Sequence, residues 1–160
     1  MAPTLVFIHG LESSGWGTKG IFFRERYPGG MIIEDFEGPF EQRMEKLEGL
    51  LAEKNNLILV GSSYGGLMAA VYACLHEPRV RKLILLAPAL HLEPFDPYLD
   101  TILQVPIVIF HGWQDDVVPL DAVKTIARRS FANHTFTALD DDHPLHRTFA
   151  TLDWDTLLSS

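Results

Sequence analysis

The residue types able to do chemistry in this chain fall in a few short stretches. Gly61-Ser62-Ser63-Tyr64-Gly65 sets two serines among glycines, and His9-Gly10 follows an apolar run near the N-terminus. Farther along, His111-Gly112-Trp113-Gln114 leads into Asp115 and Asp116, and Asp140-Asp141-Asp142 stands directly before His143. Serine is a weak nucleophile until a base takes its proton, and that base needs a partner to orient it. Brought together, a serine, a histidine and an aspartate attack acyl carbons. The serine stretch alone also admits a plainer use, in which the glycines make a tight turn and Ser62 or Ser63 caps a helix.

Context favours the chemical reading. The stretch fits G-x-S-x-G and lies between an apolar run, LILV, and a helix-like run, LMAAVYACLH. Glycines on either side of the serine permit a sharp, strained turn that lifts the hydroxyl clear of a sheet, and this selects Ser63 rather than Ser62. Helix-start N–H groups there would face any charge developing beside the hydroxyl. Among the histidines, His143 is the leading base, because it lies just beyond the last strand-like run and a loop can carry it back over the sheet edge. His146 is expected to face solvent, His134 precedes the last strand on the far side, His76 ends a helix, and His91 sits in a long connection where it could touch substrate, although exposure is expected. For the acid, Asp115 is better placed than Asp116, since a turn leaving the fifth strand aims it back across the sheet. Either aspartate could instead stabilise that turn or the helix after it.

The elements that must position these groups are legible from apolar patterning. Runs at 4–9, 31–33, 57–60, 80–87, 107–111 and 135–139 read as strands, several of them apolar at nearly every position. Such runs fit strands buried on both faces, hence a parallel sheet covered by helices. Helices are expected at 40–53, where Met44, Leu47, Leu50 and Leu51 share one face, and at 67–76, 120–129 and 145–158. The alternation predicts an α/β fold: a three-layer, open, mostly parallel sheet of about six strands with helices on both faces. The length suits one domain over residues 1–160. In such sheets, sites gather at the carboxyl ends of the strands, where His9, Ser63, Asp115 and His143 all fall.

With those residues in view, the chain resembles the α/β-hydrolase superfamily in its small, nearly lidless form. The resemblance rests on HG after the first strand, GSSYGG, HGWQDDVVP and DDDH, and it covers almost the whole chain. It implies a triad in the chain order Ser63, Asp115, His143, and an oxyanion hole made by the backbone N–H groups of Tyr64 and Leu11. The strands that usually precede the HG strand are missing, and 87–104 is too short for a cap domain, so an open mouth is expected. The resemblance further departs at Asp140, Asp141 and Asp142, whose negative field is expected to favour protonated His143 and an alkaline activity optimum.

The implied activity is that of a serine hydrolase of the carboxylesterase kind, working without cofactor or metal on a small-molecule, ester-like substrate. Leu11, Trp16, Leu90, Phe95, Tyr98 and Trp113 fall in loops near the expected mouth and are candidates to line an acyl pocket. No basic cluster accompanies them, so an uncharged or apolar acyl group is expected. Thioesters and amides yield to the same chemistry, and a binding module that keeps the pocket without catalysis is the alternative of another class. Gly15-Trp16-Gly17-Thr18-Lys19-Gly20 fits G-x-G-x-x-G, with Glu34 and Asp35 downstream, which suggests NAD(P) binding. Its first glycine stands too far from the strand end for that use, and a flexible loop beside the oxyanion hole accounts for the same residues.

Composition bounds the remaining classes. A formal net charge of −8 opposes a nucleic-acid partner, whose phosphates need a basic surface. Cys74 is the only cysteine, which excludes an internal disulfide and a cysteine zinc cluster. No apolar stretch is long enough for a membrane span, and MAPTLVFIHG lacks a basic leader, so a cytoplasmic address is expected.

Overall fold

In a computed structural model that describes residues 2–159, six strands form one sheet: β1 Thr4–Ile8, β2 Met31–Ile33, β3 Leu57–Ser62, β4 Val80–Leu86, β5 Ile107–Gly112 and β6 His134–Leu139. All neighbours are parallel, in the order β2-β1-β3-β4-β5-β6. The strands are apolar throughout because both faces are covered, and successive side chains alternate between the two sides. Val6, Ile8, Leu57, Leu59, Leu83 and Leu85 enter one core cluster. Their chain neighbours Phe7, Ile58, Val60, Ile84 and Leu86 enter the other.

Among the described residues, five α-helices supply the outer layers: α1 Thr18–Arg26, α2 Phe40–Leu51, α3 Tyr64–His76, α4 Leu120–Ser130 and α5 Trp154–Leu157. The first cluster contains Met44, Leu47 and Leu51 of α2, much of α3, and Val123 and Ala127 of α4. The second contains Phe23 of α1 together with Phe149, Trp154 and Leu158 from the C-terminal segment. Since α3 is wedged between sheet and α2, it is buried over Gly65–Ala73 and needs no polar stripe. Each fully buried Leu or Phe contributes about 1.5–3 kcal/mol, and cutting Leu59 to alanine would cost about 2–5 kcal/mol.

Two expectations need correction. Residues 18–20, within the glycine stretch read as a flexible loop, instead open α1, which was not expected. Gly15, Gly17 and Gly20 weaken the helical signal, but Phe23 is fully buried and Arg24 ties the segment down by donating to the carbonyls of Gly15 and Ile33. The helix expected at 145–158 is broken into a 3-10 turn, Phe149–Thr151, and the short α5. There Asp153 caps α5 by accepting from the N–H of Thr156, and the Trp154 indole donates to the Phe149 carbonyl, so side-chain bonds replace a continuous ladder.

The connection at 87–104 carries a 3-10 stretch, Glu93–Tyr98, and a single parallel bridge from Leu103 to Phe131, and it folds inward with Phe95 fully buried instead of rising as a cap. The sheet reverses its winding between β1 and β3. At that point the connections leave in opposite directions and open a crevice at the strand ends. No helix among the described residues is long and apolar enough to cross a membrane.

Candidate active site

Ser63 leaves β3 on the side of that crevice with φ 55° and ψ −113°, a conformation that is costly for a residue with a side chain. Its backbone is pinned. The Ser63 N–H donates to the Leu86 carbonyl at 2.8 Å, and the Ser63 carbonyl accepts from Gly66, Leu67 and Ala89. The flanking glycines are needed for contact: a Cβ on Gly61 would strike the Gly65 backbone, and one on Gly65 would strike the Ile8 carbonyl. Ser63 makes no side-chain cap bond, so the capping explanation finds no support in its geometry.

The hydroxyl instead meets His143. Ser63 Oγ lies 3.0 Å from His143 Nε2, and His143 Nδ1 lies 2.7 Å from Asp115 Oδ2. A carboxylate only accepts, so Nδ1 carries the proton and Nε2 is left to accept from the hydroxyl. Asp115 has a fully buried side chain. Burial works against its charge, but hydrogen bonds from His111 and His143 and from the N–H groups of Val118 and Val117 outweigh it. The carboxyl is thereby held well below the usual carboxylate range. Asp116 is exposed and takes no part in this network.

His111 has no counterpart in the sequence expectations. It is fully buried, and its Nε2 faces both the Val118 carbonyl at 2.9 Å and Asp115 Oδ2 at 3.2 Å. Two acceptors require Nε2–H, which leaves Nδ1 as a buried atom without a partner. The available signal was the histidine–glycine pair ending the strand just before Asp115.

Leu11 and Tyr64 border the same cavity, and among the described residues neither N–H has a recorded acceptor. The turn carrying Leu11 is fixed by His9, whose Nδ1–H donates to the Gly10 carbonyl at 2.6 Å while its Nε2 accepts from the Phe36 N–H at 2.8 Å. Burial pushes the His9 pKa down, as suits a ring held neutral by one donor and one acceptor.

The three acids before His143 serve their own loop. Asp140 bonds Gln114 and Arg147, and Asp142 bonds His146. Asp141 is buried and accepts from the N–H groups of Asp142, Arg147 and Thr148 and from the Thr148 hydroxyl. Apart from the bond of Asp140 to Gln114 in the turn after β5, their contacts are local to the loop and its flanks, and none is made to the His143 ring.

The cavity beside Ser63 has a volume of about 770 Å³, and its apolar lining includes Leu11, Phe22, Leu92, Val117, Leu145 and Phe149. Of the expected pocket residues, only Leu11 belongs to it. Leu90 and Phe95 are buried in the core, and Tyr98 packs against that core. Trp16 and Trp113 are each 63% exposed, with the Arg24 guanidinium stacked on the Trp16 ring. Aromatic type and loop position did not distinguish these locations, because inward or outward packing is decided by the folded chain. His91 is exposed, as expected, and lines the cavity, and so does Lys19, a single basic side chain rather than a cluster.

The glycine motif is used structurally. Gly17 precedes α1, and the Gly15 N–H donates to Asp35 Oδ1 at 2.7 Å. A dinucleotide phosphate would have to compete there with a carboxylate. Among the described residues, no group of three or more His, Cys, Asp or Glu side chains is arranged to hold a metal.

Comparison with known proteins agrees with this architecture. A probable 1-acylglycerol-3-phosphate O-acyltransferase of Oryza sativa subsp. japonica is 36% identical over 110 residues; the match covers 55% of this chain and 26% of the rice protein. The chain thus spans about a quarter of that relative. Alpha/beta hydrolase domain-containing protein 10 from mouse superposes with a TM-score of 0.82 at 19% identity, covering 98% of this chain and 88% of the mouse chain. Est1E from Butyrivibrio proteoclasticus superposes with a TM-score of 0.79 at 17% identity, covering 98% and 86%. These two similarities speak to the fold. Residues 12–105 match the family described as alpha/beta hydrolase fold, and the chain belongs to that family.

Proposed function

We propose that this protein is a serine hydrolase that cleaves an ester-like bond through an acyl-enzyme. The observation carrying the proposal is the continuous set of hydrogen-bond distances from Ser63 Oγ through His143 to buried Asp115, with Ser63 in a strained turn at the cavity.

In the first half-reaction, Ser63 Oγ attacks the carbonyl carbon while His143 Nε2 accepts the hydroxyl proton. Negative charge on the carbonyl oxygen is met by the N–H groups of Leu11 and Tyr64; one such donor contributes about 3–4 kcal/mol in comparable sites. The carbon–oxygen bond to the leaving group then breaks, and His143 returns the proton to the departing oxygen. In the second half-reaction, water gives a proton to His143 and its oxygen bonds to the acyl carbon. Ser63 leaves with that proton, and a carboxylic acid is released. Asp115 holds the imidazole in the required tautomer and stabilises its charged form.

The apolar lining supports an acyl or alkyl group as the part of the substrate that is enclosed. Thioesters fit the same steps. Transfer to a second hydroxyl differs only in replacing water as acceptor, a variant suggested by the name of the rice relative. The test is pre-steady-state hydrolysis of p-nitrophenyl butyrate. Wild type should release p-nitrophenol and should lose at least about 10³-fold in rate as Ser63→Ala, while Ser62→Ala retains most of it. Equal activity in Ser63→Ala would refute the proposal, whereas folded wild type inactive on esters and thioesters would favour a binding module.

A further inference from the structure

Lys19 is the lysine or arginine that borders the cavity beside Ser63 among the described residues. It sits in the first turn of α1, and its Nζ donates to the Pro144 carbonyl at 2.7 Å, one residue beyond His143. It also lies 5.3 Å from the centroid of the Phe149 ring. Neither contact is an ion pair, and the charges of Asp142 and Asp141 act on the ammonium without a direct contact. The acids nearest in sequence to that contact are committed elsewhere: Asp141 to Arg147 and Thr148, and Asp142 to His146. Glu12 also borders the cavity, is exposed, and has no recorded ion pair with Lys19. The surroundings do not solvate Lys19 fully. Burial lowers its pKa, opposed by the charges of Asp142 and Asp141.

A cation half-withdrawn from water, with unused donors and bordering a largely apolar cavity, is matched by an anionic group on the bound molecule. We propose that the substrate of the Ser63 site carries a carboxylate or phosphate, which Lys19 binds while the apolar part of the molecule occupies the walls formed by Phe22 and Phe149. This deepens the hydrolase reading and rests on it. The net charge of −8 does not oppose such a contact strongly, since distant exposed charges are screened beyond about 10 Å at 0.1 M salt, whereas the Lys19 contact is local and partly desolvated.

The test compares kcat/KM for matched esters. On the acyl side, p-nitrophenyl pentanoate is set against mono-p-nitrophenyl glutarate; on the leaving-group side, phenyl butyrate is set against 4-carboxyphenyl butyrate. Wild type should favour the charged member of at least one pair, and the pair showing the preference identifies the side of the scissile bond that Lys19 reads. Lys19→Met should reduce that preference about tenfold, and Lys19→Arg should restore part of it. In wild type alone, raising salt should shrink the preference without a matching change for the neutral ester. No preference in either pair, or an equal loss on charged and neutral esters in Lys19→Met, would overturn the inference and leave Lys19 as a clamp on Pro144. Fluorophosphonate labelling of wild type, run in parallel, separates that failure from failure of the hydrolase reading, in which no label would appear.

Discussion

At the scale of single residues, the site depends on a charge kept where water is excluded. Asp115 is buried yet ionised because four donors converge on it: His111, His143 and the N–H groups of Val117 and Val118. Asp115→Asn should keep the fold but turn an amide N–H₂ toward part of that donor set and favour the wrong His143 tautomer. Activity on p-nitrophenyl butyrate should then fall by about 10⁴-fold, with circular dichroism unchanged. Since the Asp115 carboxyl lies well below the usual range, acid loss of activity in wild type should not follow its titration. Cys74 behaves oppositely. Burial, with a smaller contribution from Glu77, pushes its thiol up to about 12, so iodoacetamide should label native protein far more slowly than urea-unfolded protein at pH 8.

At the scale of elements, the strand ends were legible because parallel strands buried on both faces show as continuous apolar runs, and because serine, aspartate and histidine at their carboxyl ends stand out by type. The cavity walls were not. Phe95 and Trp113 are both loop aromatics, and only tertiary packing buries the first and leaves the second exposed. Lys19 was hidden in a glycine-rich stretch that reads as loop, and the acids at 140–142 are identical in type although Asp141 alone is buried. That burial gives Asp141 a distinct task. Asp141→Asn would set a donor against one of the N–H groups it now accepts from, costing about 1–3 kcal/mol and loosening the loop that presents His143. Thermal unfolding should occur at a lower temperature and kcat should fall, whereas Asp140→Asn, at an exposed position, should change neither appreciably.

At the scale of the whole molecule, one sheet with two covered faces holds the site rigid, and its stability should depend on pH in two stages. His9 has a folded pKa below its ordinary value of 6.5, so the unfolded chain takes up that proton first. Stability from keeping His9 neutral is present above 6.5 and is lost as pH falls through its folded value. Asp115 and Asp141 also titrate below their ordinary 3.8 when folded, which places a second loss below that pH. Differential scanning fluorimetry from pH 8 to pH 2.5 should show both declines; His91, whose pKa burial also lowers, shares in the first, so His9→Asn should reduce the first while sparing the second. A melting temperature constant between pH 7 and pH 5 would contradict the assignment of His9.

The central claim is that the strained residue at the β3–α3 turn is the nucleophile, and peptide mapping of a fluorophosphonate adduct tests it most directly. The protein is labelled folded, digested and sequenced by mass spectrometry, so that neighbouring serines are resolved. A single adduct on Ser63 is expected, abolished when His143 is replaced by alanine. An adduct on Ser62, or no adduct on wild-type protein shown to be folded, would contradict it.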